Sequence, residues 1–152
     1  MKIFIILCVV SSIIVWGISC SRQPSERKML IGTIDNIDGN IEKLMNSSLD
    51  DSFLVIQSKD NEDFIQLTGG IKGVQLDFPL ITEKQKKSES TFRNTCKELN
   101  LNIIENKGSD GTVFLDVDIN GTTSEVANVI KKFAIKFLNV NSKTNLQFDL
   151  NV

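Results

Sequence analysis

Apolar and polar positions change period several times along this chain, and each change marks an element. Residues 3–15 are apolar except for Ser11 and Ser12, and no charge occurs from Ile3 to Ser19. Residues 21–28 are polar, contain Pro24 and read as a tether. From Met29 the apolar residues fall at Leu30, Ile34, Ile37, Ile41, Leu44 and Met45, which is a helical period. Gly32 and Gly39 weaken such a helix by up to about 1 kcal/mol each relative to Ala, and "NSSLDDS" ends it. Residues 53–58 and 63–68 are β-type runs, joined by "KDNE", a hairpin turn by composition. Gly69 and Gly70 make the next corner. Residues 72–78 then alternate, with Val74, Leu76 and Phe78 on one face and Gln75 and Asp77 on the other, up to Pro79.

The second half repeats this logic. Thr82 and Gln85 form a capping box that opens a helix. Its first half is polar, and its second half sets Phe92, Cys96 and Leu99 on one stripe. Residues 101–105 predict a short strand, "KGSDG" a turn, and 112–119 a strand with Val113, Leu115, Val117 and Ile119 inward. Thr122 and Glu125 cap the strongest helix of the chain, lined by Val126, Val129, Ile130, Phe133, Ala134, Phe137 and Leu138. Leu146, Phe148, Leu150 and Val152 alternate as either a terminal strand or a frayed tail. The predicted order is α-β-β-β-α-β-β-α, with that last strand optional. Short hairpin connections favour an antiparallel sheet of about five strands with helices packed on it, an α+β fold. The chain of 152 residues has room for one domain, here residues 29–152, behind a leader.

The leader sets the address. Lys2 before a short apolar core is the layout of a secretory signal. The stretch from Ile3 to Cys20 spans 18 residues, only just the length of a spanning helix. Trp16-Gly17-Ile18-Ser19-Cys20 resembles the lipobox of bacterial lipoproteins, with Gly17 where Leu is more usual. The resemblance implies a signal peptide over residues 1–19, acylation of Cys20, and a lipidated N-terminus and tether over 20–28. The alternative is an uncleaved signal-anchor. Ser21 stands where an Asp would resemble an inner-membrane retention signal, which points to the outer membrane, and no acidic run follows Cys20 to resemble a surface-export signal. The expected location is a membrane surface facing the periplasm.

Composition narrows the task more than it defines it. The net charge is −2, and removing the leader with Lys2 leaves 16 basic against 19 acidic residues, or −3. A nucleic-acid footprint needs a basic excess, so no nucleic-acid partner is expected. The chain has no His, the commonest acid–base residue near neutral pH. Of three cysteines only Cys96 lies in the body, which excludes an internal disulfide framework and a cysteine zinc cluster there.

"FLVIQSKDNEDFIQLTGGIKGVQLDFP", a helix ending "CKELNLNI", "FLDVDI" and a last helix ending "FAIKFLNV" together resemble the YbjN-like and type III secretion chaperone-like domains, over roughly residues 29–140. The resemblance implies a small binding module that often dimerises, holds a partner polypeptide on its sheet or helices, and has no enzyme activity or cofactor. Secretion chaperones are cytosolic, whereas this chain reads as exported, so what carries over is the fold and the habit of binding protein.

Five groups of residues invite chemistry. Asp116, Asp118, Asn120 and Gly121 match the first half of an EF-hand loop, but Ala127 stands where its closing Glu belongs. A solvated strand edge running into a capped helix fits better, leaving Asp116, Asp118 and Asn120 as a weak cation turn. Cys96 has no His to activate it and sits on an apolar stripe, so it reads as a buried thiol. Lys84, Lys86, Lys87, Arg93 and Lys97 make the second helix basic, but Glu83, Glu89 and Glu98 dilute them into a solvated face. Lys131, Lys132 and Lys136 read the same way. Asp35, Asp38 and Glu42 suit a polar helix face better than an acid–base pair. The expectation is an envelope lipoprotein that binds an unknown protein. Its rivals are an immunity protein against a delivered toxin, a small-ligand or cation module, and an enzyme with clustered carboxylates.

Overall fold

The computed structural model describes residues 28–58, 64–70 and 73–152. The leader, Cys20, the tether up to Arg27 and the "KDNE" turn lie outside the described residues. The domain is α+β: seven strands in one antiparallel sheet, with three α-helices on one side. The strands are β1 (Lys28–Gly32), β2 (Phe53–Ser58), β3 (Phe64–Gly70), β4 (Gly73–Pro79), β5 (Ile104–Lys107), β6 (Val113–Asn120) and β7 (Leu146–Asn151). The helices are α1 (Ile37–Met45), α2 (Glu83–Glu98) and α3 (Thr123–Phe137). The spatial order is β1-β7-β2-β3-β4-β6-β5. Two split β-α-β units emerge. β1-α1-β2 holds β7 between its parallel strands, and β4-α2-β5 holds β6.

Three expectations need correction. The sheet has seven strands rather than about five. Of the two alternatives for the tail, the terminal strand holds: residues 146–151 lie inside the sheet, paired on both sides. The helix expected from Met29 begins only at Ile37, after a 3-10 turn at Ile34–Asn36, and Lys28–Gly32 is an edge strand. The reason lies in β7. Its Leu146, Phe148 and Leu150 face the helices, while its backbone pairs with β2 on one side and leaves a row of N–H and C=O groups on the other, which β1 pairs. Thr33 N–H donates to Asn36 Oδ1 at 2.8 Å, and this capping contact starts the helical path after β1. The short strand also moves, from 101–105 to Ile104–Lys107. Asn100 adopts a left-handed conformation (φ 55°) after α2, and Leu101 N–H donates to Cys96 O at 2.8 Å, so Leu101 and Ile103 pack on the core instead.

The core fills the space between sheet and helices. Leu54, Ile56, Ile65, Leu67, Leu76, Leu115, Val117 and Phe148 rise from the sheet and are fully buried. α1 brings Ile37, Ile41 and Leu44, while α3 brings Val126, Ile130, Phe133 and Ala134. Phe92 of α2 stacks on Phe78 with centroids 4.7 Å apart and meets Phe133 and Phe137 edge-on. Both capping boxes form as expected. Thr82 Oγ1 accepts from Gln85 N–H at 3.1 Å, and Thr122 Oγ1 from Glu125 N–H at 3.4 Å. At Gly69 a Cβ would lie 2.7 Å from the Leu44 carbonyl, so only glycine lets the end of α1 rest on β3.

Candidate functional site

All three helices lie on one side, and no described element covers the other side of the sheet. Cross-strand register identifies the residues of that uncovered face, because directly paired residues share a side. One row runs Met29, Asp149, Val55, Gln66, Asp77, Asp116 and Ile104. Beside it Phe53, Thr68, Gln75 and Asp118 form a second row. Ile31, Gln147 and Gln57 lie on the far side of the first row, with Phe114 and Asn106 at its other end. The face therefore mixes exposed apolar groups with amides and carboxylates. Met29 is 66% exposed and Ile31 79%.

Two shallow grooves share Thr68. One, of about 460 Å³, is lined by Thr68, Gly70, Gly73, Gln75, Asp118 and Asn120 among others. The second, of about 410 Å³, lies over Phe53, Val55, Gln66 and Thr68, with Asp50 and Asp51 at its end. At the first groove and beside it the strands bring three carboxylates together. Asp77 of β4 pairs directly across from Asp116 of β6, and Asp118 lies one side-chain step along the same face. Directly opposite side chains have Cβ atoms about 5 Å apart, so two like charges there repel. Burial, then Asp116 and Asp118, push the Asp77 carboxyl up from 3.8 to about 6. Asn106 Nδ2 donates to Asp116 Oδ2 at 2.5 Å, and Gln75 Nε2 donates to Asp118 Oδ1 at 3.0 Å. Asp77 can thus hold or release a proton near neutral pH in a polar, amide-rich setting.

The expected cation turn has a different shape. Asp116, Asp118 and Asn120 are alternate residues of one extended strand, so their Cα atoms span about 13 Å rather than curling round a centre. Ala127, at the closing position, is buried in α3. Among the described residues no group of three His, Cys, Asp or Glu is arranged to hold a metal ion. Sequence pattern put Asp77, Asp116 and Asp118 outward on their strands. It could not bring Asp77 beside Asp116, because β4 pairs with β6, a strand beyond α2 and β5 in sequence.

The other candidates are scattered. Cys96 is fully buried, and burial pushes its thiol up to about 12, against a smaller opposing effect of Arg93. Arg93 binds Glu89 of its own helix at 2.8 Å and Glu105 of β5 at 2.6 Å. Lys131 pairs with Asp38 of α1, and Lys136 with Glu98 of α2, so these two lysines tie α3 to both neighbours. Lys86 pairs with Glu83 at 3.0 Å. The basic residues expected to be simply solvated are thus partly engaged in ion pairs on the helical side.

The two sheet edges also differ. β5 presents Glu105, Asn106 and Lys107, polar groups that discourage pairing with another strand. β1 presents the exposed apolar side chains of Met29, Leu30 and Ile31 beyond Lys28. No helix among the described residues is long and apolar enough to cross a membrane. No protein-family model, curated protein or solved structure matches this chain.

Proposed function

We propose that this chain is an exported bacterial lipoprotein, acylated at Cys20 and facing the periplasm, most simply from the outer membrane, whose α+β domain binds a protein partner on the uncovered face of its sheet. The observation that carries the binding reading is that face. A sheet sealed on one side by three helices leaves the other side holding Phe53, Val55, Met29 and Ile31 next to two shallow open grooves. The eight steps along the chain from Cys20 to Lys28 reach at most about 29 Å when extended, so the domain would work close to the bilayer. Aspartates on the face repel phosphate, which fits the expectation of no nucleic-acid partner. A toxin-neutralising immunity protein is a special case of this reading. The Asp77–Asp116 pair also suits a general acid–base role, but an open groove does not exclude water as a catalytic cleft does, so binding is the better-supported function.

Site-specific photocrosslinking in cells tests the binding face. A crosslinking residue at Val55 or Gln66 should give one discrete adduct, while the same residue at Asn128 or Lys132 on the helical side should give none. Adducts only from the helical side would refute this choice of surface. Fatty-acid labelling of the wild type beside Cys20→Ser tests the anchor; label on neither chain would remove the lipoprotein. The exposed apolar residues of the β1 edge, Met29, Leu30 and Ile31, support a second association. Two copies pairing β1 antiparallel about a two-fold axis would continue the sheet. Sedimentation should then show a dimer that Ile31→Lys dissociates.

A further inference from the structure

Among the described residues, the uncovered face of the sheet carries charge of one sign only. On the uncovered face the register places four ionisable side chains among the described residues: Asp77, Asp116, Asp118 and Asp149. All are acids. The described lysines and arginine with ion pairs, Lys86, Arg93, Lys131 and Lys136, hold them on the helical side. Asp77, Asp116 and Asp118 stand together at one end of the face, and the Phe53–Val55 groove lies two strands away. Like charges placed directly across a strand pair destabilise a sheet. A surface that combines such a cluster with an adjacent apolar groove is complementary to a segment bearing cations beside apolar side chains.

We propose that the partner of this face is a cationic polypeptide segment, laid across the strands so that its Lys or Arg side chains meet Asp77, Asp116 and Asp118 while its apolar side chains enter the groove over Phe53 and Val55. This rests on the binding-face reading and specifies its partner by chemistry. Gln66, Gln75 and Asn106 line the carboxylate end, and their amides offer the additional hydrogen bonds that a seated cation and peptide backbone need. An anionic or purely apolar segment would leave these carboxylates desolvated without a counter-charge, which is costly.

The test uses the whole chain carrying Cys20→Ser, purified after export, and two short peptides, one alternating lysine and valine and one alternating glutamate and valine. Amide chemical shifts report where each binds. The lysine peptide should perturb β2, β3, β4 and β6 and weaken as salt rises. Asp77→Asn/Asp118→Asn should weaken it by at least about fivefold, whereas Glu42→Gln/Glu83→Gln on the helical side should change it by less than about twofold. Equal binding of both peptides, or lysine-peptide shifts confined to the helices, would overturn the proposal. If neither peptide binds while Val55 still gives its crosslink in cells, the cationic partner is refuted and the binding face stands. If the Val55 crosslink is also absent, both fall.

Discussion

Replacing Asp77 with Asn should stabilise the domain, and the size of the gain should depend on pH. The Asp77 carboxyl is raised from 3.8 to about 6, first by burial and then by Asp116 and Asp118. A carboxyl with a raised native pKa binds its proton more tightly folded than unfolded. Its contribution to stability is therefore fully present below the unfolded value of 3.8 and is lost as pH rises through about 6. The shift is about two units, or at most about 3 kcal/mol. Asp77 keeps part of its surface in water, and solvent screening reduces this to roughly 1–2 kcal/mol. Asn has nearly the same shape and cannot ionise. Asp77→Asn should therefore gain about 1–2 kcal/mol at pH 8 and only a few tenths at pH 4, where the wild-type carboxyl is protonated in the native state and half so in the unfolded one. Urea unfolding followed by circular dichroism measures this directly. A slope of about 1–3 kcal/mol per molar urea converts the expected gain at pH 8 into a midpoint shift on the order of 0.5–1 M. An unchanged midpoint at pH 8 would refute the reasoning, as would a gain equally large at pH 4. A double-mutant cycle with Asp116→Asn adds a check on cause: if repulsion contributes, the two gains together fall short of their sum.

Other expectations follow from the core and the caps. Phe92→Ala removes a ring with no exposed surface that touches three other rings, so it should cost about 3–5 kcal/mol in denaturant unfolding. Thr122→Ala removes the hydroxyl that caps α3 and should cost about 1 kcal/mol, while Thr122→Ser should restore most of it. In a chain whose Cys8 and Cys20 are Ser, Cys96 should react with Ellman's reagent only as fast as the domain opens, because burial holds the thiol near 12; prompt reaction of the folded protein would contradict its placement.

How much of this was legible in the sequence depended on whether the deciding interaction was local. Both capping boxes, the α3 stripe and the alternation of β4 and β6 are written within a few residues of each other, and each formed where expected. β1 was misread because Leu30, Ile34 and Ile37 keep a helical spacing, and nothing local says that Leu30 must instead pair with Phe148, far along the chain. The same distance hid β7, whose alternation was visible but whose two partners were not. Length also misled at 101–105, where a left-handed Asn100 redirected an apolar run into the core before the strand began.

The candidate site shows the same division more sharply. Alternation alone set Gln75, Asp77, Asp116 and Asp118 outward on their strands, and outward carboxylates on separate strands ordinarily mean nothing more than solubility. They become a site only because β6 returns beside β4 after α2 and β5 have intervened. That pairing sets Asp77 against Asp116, whose charge adds to burial, the larger cause, in raising the Asp77 pKa, a cost that the fold bears on a surface no helix covers. A neutral residue at position 77 would remove the repulsion without disturbing the core, since its side chain points away from Leu76 and Phe78. The sheet therefore does not need this charge for its own stability, which is the reason the proposed partner is one that brings a cation to Asp77.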